Sequence, residues 1–206
     1  MTDTQAIAGH VTVDPTVLYV GTPVALITTI SPDGSVNIGP MSSAWTLGHT
    51  IVLGWSASSQ TLVNLEREGE CVVNYPDASR WRQVDTLATL TGRDPVPSYK
   101  AEQFRYTSDK WTPSGFTPQP SVQVSPPRIA ECALQCEAEV VAVHQPVGSD
   151  GAGFRIVETH VKAVHAHSDI VIPGTDRIDT TAWEPLLYVF RDYFGTGPRL
   201  GRTHRR

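Results

Sequence analysis

The sequence predicts a mainly β fold: an antiparallel barrel with a few peripheral helices. Runs of β-formers such as Val24–Ile30 and Ile51–Trp55 recur as near neighbours along the chain, separated by turn signals. Glycine and proline, 16 of each, supply the many turns that such a path needs. With 206 residues, 40% of them hydrophobic and 18% charged, the chain is long enough for one real core and too apolar for disorder throughout.

In chain order, residues 1–16 read as a loose, polar N-terminal segment, and Val17-Leu18-Tyr19 as the anchor that leads into the barrel. Val24–Ile30 is a strand. Ser31-Pro32-Asp33-Gly34 is a turn, in which Pro presets one backbone angle and Gly permits the unusual one. The chain resumes at Val36–Gly39, passes Pro40-Met41-Ser42-Ser43, forms a second strand at Ile51–Trp55 and reaches Ser56-Ala57-Ser58-Ser59-Gln60-Thr61. Ser59–Arg67 reads as a short helix capped by Ser58 or Ser59, with Leu62 and Leu65 turned inward and Gly69 as its stop. Cys71–Tyr75 is a strand closed by Pro76. Trp81–Leu90 has helical spacing at Trp81, Val84, Leu87 and Ala88.

Gly92–Gln123 is rich in proline and polar residues, with two aromatic clusters and a small helix near Ser98–Phe104. It reads as a long excursion over the barrel surface, of the kind that shapes a site or an interface. Ile129–His144 and Phe154–His167 are long strands joined by a Gly-rich hairpin loop. Trp183–Phe194 reads as a helix, and residues 195–206 as a Gly-rich basic tail. One domain spans 1–206, without internal repeats.

Composition excludes several functions. A net charge of −5 does not favour nucleic acid or an anionic membrane surface. No apolar run approaches a membrane span, and no basic-then-apolar leader opens the chain, so the expected location is cytoplasmic. Cys71, Cys132 and Cys136 have no framework spacing and read as free thiols; Cys132 and Cys136 are expected on one strand face. His165 and His167 are also expected to share a face, but without a third ligand no metal site is expected. There is no strand–GxGxxG–helix unit, no GxxxxGK[ST] and no Gly-x-Ser-x-Gly elbow.

Two strand ends thus deliver hydroxyls beside probable backbone turns, a setting that suits a phosphate even without lysines. The order strand, Asp-Gly turn, Asn37-x-x-Pro40-x-Ser42-Ser43, strand, Ser56-x-Ser58-x-x-Thr61, short helix resembles the flavin reductase-like family of FMN-binding split barrels. Lys110-Trp111, Gly115-Phe116-Thr117, Pro127-Arg128-Ile129 and Tyr193-Phe194-Gly195 to Gly201 extend the similarity over roughly Val17 to Thr203. The resemblance implies an antiparallel split β-barrel of Greek-key type, FMN as cofactor, NADH or NADPH as possible electron donor, and a homodimer. It also implies a function as an NAD(P)H:flavin reductase that supplies a monooxygenase partner.

By the same resemblance, Asn37, Pro40, Met41, Ser42 and Ser43 approach the ring and ribityl portion, and Ser56, Ser58 and Thr61 the phosphate. Of Thr28 and Thr29, which alternate faces, one at most points into the site. No side chain is assigned to acid–base work, because hydride transfer needs placement instead. Many members carry a Gly-Asp-His element near the nicotinamide. Here the corresponding loop reads Gly148-Ser149-Asp150-Gly151-Ala152-Gly153, without the histidine. Two alternatives follow: a flavoprotein acting on another small organic substrate, with the 92–123 excursion shaping its pocket, and a non-catalytic flavin-binding module.

Overall fold

A seven-stranded antiparallel sheet organises the chain in the computed structural model, which describes residues 9–146 and 153–203. Its strands are β2 (Ala25–Ile30), β3 (Val36–Met41), β4 (Ala44–Leu47), β5 (Thr50–Ser56), β6 (Glu70–Tyr75), β11 (Leu134–His144) and β12 (Phe154–Ala166), in the order β3-β2-β6-β11-β12-β5-β4. The two edge strands, β3 and β4, are consecutive in sequence and joined only by Ser42 and Ser43, so the sheet curls until its ends nearly meet. The expected strand-dominated barrel is therefore present.

β2 shows why the sheet has two cores. Its even run of apolar residues is buried on both faces: Ala25 and Ile27 enter the barrel interior, while Leu26 joins Val24 and Ile38 outside it. The interior core adds Leu53, Trp55, Leu62, Leu65, Val73 and Val157. Helix α1 (Gln60–Glu68) supplies the two leucines and lies as expected. The Ser59 hydroxyl accepts the Leu62 N–H at 3.0 Å, and Gly69, at φ 72°, ends the helix by donating to the Leu65 carbonyl.

The outer core is covered by α2 (Trp81–Ala88), α3 (Trp111–Ser114) and the excursion, which is tied down at both ends: the flanking β7 (Leu90–Thr91) pairs with its β8 (Arg105–Tyr106), and its β9 (Pro118–Gln119) pairs with the flanking β10 (Arg128–Ile129). The excursion is more deeply integrated than a surface loop. Phe116 is buried in the outer core and Trp111 packs against it. These two aromatics therefore serve the fold from inside and add little to the surface of the excursion.

Polar pins hold the excursion in place. Asn74 accepts the Ile129 N–H at 2.9 Å and donates to the Leu26 carbonyl at 3.0 Å. The fully buried Glu137 carboxylate accepts the Val122 and Gln123 N–H groups, the latter at 2.6 Å, and meets His165 Nε2 at 2.7 Å.

Three sequence expectations change. Residues 183–194 form no helix: β13 (Leu187–Val189) and β14 (Asp192–Phe194) make a hairpin that pairs with β1 (Val20–Pro23). The alternating Leu-Tyr-Val and Asp-Tyr-Phe triplets suit strands, and Phe190 and Arg191 turn the chain with positive φ values of 44° and 80°. Cys132 precedes β11 and lies in the outer core, whereas Cys136 faces the interior core, so the two do not share a strand face. His165 is on β12, but His167 lies beyond its end and bonds the Ala130 carbonyl at 2.8 Å. The Gly-rich loop between β11 and β12 falls mostly outside the described residues.

Candidate functional site: a donor-lined cavity between the sheet edge and the C-terminal hairpin

A cavity of about 350 Å³ opens where β3, the end of β5 and the start of α1 meet the excursion and the β13–β14 hairpin. This lies within the size range of small-molecule pockets. Its floor is β3. At Gly39 a side chain would strike Thr61 Oγ1 and come within 2.8 Å of the Trp55 ring, so only glycine lets α1 sit this close to the strand. Asn37 Nδ2 donates to Thr61 Oγ1 at 2.8 Å and fixes the same contact. Gly92 closes the side: a Cβ there would lie 2.6 Å from Asn37 Oδ1.

Of the residues singled out in the sequence, Asn37, Pro40, Met41, Ser42, Ser56 and Thr61 line this cavity. Ser43 stands beside it, its hydroxyl 2.9 Å from Tyr19 OH and its carbonyl accepting the Gly54 N–H. Ser58 turns away toward Tyr99 OH, with Ser56 Oγ at 3.0 Å on its other side. Thr28 and Thr29 are fully buried away from the cavity. Thr28 donates to the Pro127 carbonyl at 2.6 Å, and Thr29 accepts from Asn64 at 3.0 Å.

The cavity is rich in donors. Ser59 and Gln60 add to its wall at the start of α1. The Ser59 hydroxyl and carbonyl already accept the Leu62 and Val63 N–H groups, so the Gln60 and Thr61 amides are the ones left for an outside acceptor. Two buried polar atoms of lining residues, Trp55 Nε1 and Asn37 Oδ1, have no partner. Leaving such atoms unpaired is unfavourable by about 1–3 kcal/mol each, which a ligand carrying both an acceptor and a donor would relieve.

The sequence reading missed four further contributors. Lys100 and Lys110 reach the cavity from the excursion. Lys110 is only 3% exposed and donates to the Ile38 carbonyl at 2.8 Å. Among the described residues no carboxylate pairs with it, and burial pushes its ammonium down to about 7. The signal was present in the Lys110-Trp111 pair, but nothing local announces that a lysine side chain will turn inward. Tyr188 and Tyr193 form the far wall with Tyr19, at ring separations of 5.3 Å and 5.6 Å. Burial is the main cause that raises the Tyr193 phenol to about 12, so it stays neutral. Reading their segment as a helix had hidden this wall.

With this geometry in place, comparison with known proteins is informative. The model of the family described as "Flavin reductase like domain" matches residues 17–197. The chain belongs to this family. The flavin reductase-like chain is also 40% identical over 194 residues, 94% of its length, to 92% of "Uncharacterized protein YdfE" of Bacillus subtilis (strain 168). Its fold matches flavoredoxin of Desulfovibrio vulgaris (Miyazaki F) with a TM-score of 0.76 at 18% identity, covering 96% of this chain and 98% of that one. It also matches nitrilotriacetate monooxygenase component B from Bacillus cereus with a TM-score of 0.75 at 16% identity, covering 95% and 100%. The curled sheet is thus the split barrel of flavin reductase-like proteins. No helix among the described residues is long and apolar enough to cross a membrane.

Proposed function

We propose that this protein is an FMN-binding oxidoreductase, most simply an NAD(P)H:flavin reductase that supplies reduced flavin to a monooxygenase. The observation that carries the reading is the donor-rich lining of one cavity at the start of α1, where two of the lining residues, Trp55 and Asn37, each keep a buried polar atom, Nε1 and Oδ1, without a partner. The residues present fit FMN: hydroxyls and helix-start amides for a phosphate, a wall of mutually tilted tyrosine rings for the apolar part, and a donor and an acceptor on further lining residues. FMN would supply the two-electron chemistry, taking up a hydride on its ring and passing it on.

The chain's own residues place and enclose the flavin. Ser56, Ser59 and Thr61, with the Gln60 and Thr61 amides, hold the phosphate, and Lys100 adds positive charge at the rim. Asn37, Pro40, Met41 and Ser42 line the path of the ring and ribityl chain, and Trp55 Nε1 donates to one of its acceptors. Ser43 acts through Tyr19, whose ring it holds against Tyr188. Thr28 and Thr29 serve by fixing the neighbouring excursion and α1. The working form is a cytoplasmic homodimer that takes electrons from NADH or NADPH.

A second reading, a flavoprotein that acts directly on another small organic substrate, is favoured by the wall of Tyr19, Tyr188 and Tyr193, whose mutually tilted rings offer apolar edges and faces to a small guest. The purified protein separates the two. Bleaching of bound or added FMN by NADH or NADPH in stopped flow supports the reductase. Flavin that binds but is not reduced by either nucleotide favours the second reading, and a protein that ignores FMN contradicts both.

A further inference from the structure

Lys110 is a cation held where cations are unfavourable. Asp109 uses its carboxylate on the Trp111 and Thr112 N–H groups, at 2.9 Å and 3.1 Å, and the Ser114 hydroxyl donates to the Lys110 carbonyl at 2.7 Å. These bonds fix the backbone and direct the side chain under the sheet edge. There Nζ has one protein acceptor, the Ile38 carbonyl, and up to two further N–H groups without a described partner. The Lys110 residue lines the cavity proposed above for flavin.

The surroundings offer no compensating anion. The other titratable groups lining the cavity are Lys100, Tyr19, Tyr188 and Tyr193. β3 carries no charged residue. On α2, which packs against both β3 and α3, Arg82 and Asp85 lie on the exposed side. An empty cavity therefore favours the neutral amine, and burial brings the switch close to neutral pH. An anion entering the cavity reverses the balance, because it interacts with the ammonium through a poorly solvated space.

We propose that binding of the anionic flavin nucleotide draws a proton from solvent onto Lys110, so that this lysine couples occupancy of the cavity to pH. The inference rests on the flavin reading above and adds a property that the reading does not require. Lys110 meets either the phosphate, which carries the charge of the nucleotide, or the acceptor atoms of the uncharged ring, and the two are told apart by comparing FMN with riboflavin. By linkage, a group whose protonated form is favoured in the complex makes binding tighter below its free value and weaker above it. Affinity should fall as pH rises from 7 to 9.

The experiment is FMN titration by flavin fluorescence and by calorimetry, the latter at pH 8 in two buffers of different ionisation enthalpy. It uses the whole protein and the variants Lys110→Met and Lys110→Arg, with folding checked by circular dichroism. Wild type should take up close to one proton per FMN at pH 8 and lose about 30-fold in affinity between pH 7 and 9. Lys110→Met should bind at least tenfold more weakly at pH 7, without that uptake and with a flat profile. Lys110→Arg, which stays charged, should also be flat but bind better than Lys110→Met. Riboflavin should repeat the proton uptake if Lys110 meets acceptors of the ring and lose it if it meets the phosphate. A wild type that binds FMN with the proton count and pH profile of Lys110→Met would overturn the role of Lys110 while leaving the flavin reading intact. A wild type that binds no flavin would overturn both.

Discussion

The contact between Asn37 and Thr61 joins stability to binding at a single bond. Thr61→Val removes the acceptor of Asn37 Nδ2 and leaves a buried donor unpaired, which should destabilise the protein by about 1–3 kcal/mol in urea unfolding. It also removes a hydroxyl from the end of the cavity proposed for the phosphate. FMN affinity should fall about tenfold, and riboflavin affinity much less. Ser58→Ala should leave both within about twofold, since Ser58 faces Tyr99 instead of the cavity. Equal losses for FMN and riboflavin in Thr61→Val would show that the hydroxyl only supports the helix. Glu137 gives a pH test of a different kind. Burial raises its carboxyl, but the Val122 and Gln123 N–H groups and His165 more than offset this and hold it below the ordinary value of 4.5. A depressed folded value contributes stability that is complete above the unfolded value and lost as pH falls through the folded one. Acid unfolding below about pH 4.5 should therefore be shallower in Glu137→Gln, which is also less stable near neutrality. An unchanged acid limb would place the carboxylate outside the clasp.

The C-terminal hairpin shows how an element can be misread and still be tested. Phe190 and Arg191 both adopt positive φ, a conformation that favours Asn and Gly, so the turn is strained by its own residues. Phe190→Asn with Arg191→Gly should raise the urea midpoint, by about 1 kcal/mol or more of stability, and leave FMN affinity unchanged. A fall in stability would mean that the exposed Phe190 ring packs more usefully than its backbone suggests. Residues 187–189 and 192–194 pair as strands across the Phe190–Arg191 turn in place of the helix expected at 183–194, and this pairing sets Tyr188 opposite Tyr193 in the cavity wall. By contrast, α1 was legible in full, because Ser59, Leu62, Leu65 and Gly69 carry cap, face and stop within ten positions. The long strands were legible, but not the break before β11, where Ala130 and Glu131 form a turn, closed by the Cys132 N–H on the Ile129 carbonyl, that only tertiary packing selects. The excursion was seen as one unit, but its inward lysine and Phe116 depend on partners far away in sequence, β3 and β10, which local pattern cannot name.

At the scale of the molecule, closing the sheet leaves apolar residues outside it. Trp45 is 57% exposed and Leu47 75%, both on the edge strand β4, immediately after the Ser42-Ser43 link at the cavity. An edge strand with such side chains suits a second copy of the chain. Light scattering should give a dimer mass at micromolar concentration, and Trp45→Glu with Leu47→Glu should give a monomer that remains folded. A monomeric wild type with flavin bound would contradict the dimer. The family and its barrel were readable from the order of motifs around Asn37, Ser42, Ser56 and Thr61, although the aromatic wall and both lysines were not. The central claim is that this barrel holds FMN in the cavity between β3, α1 and the C-terminal hairpin. The most direct measurement is a fluorescence titration of FMN into wild type and into Gly39→Val, whose added side chain must displace Thr61 and Trp55. The account predicts saturable quenching at one FMN per chain in wild type and its loss in the folded variant. FMN that stays fully fluorescent with wild type, or binds the variant equally well, would contradict it.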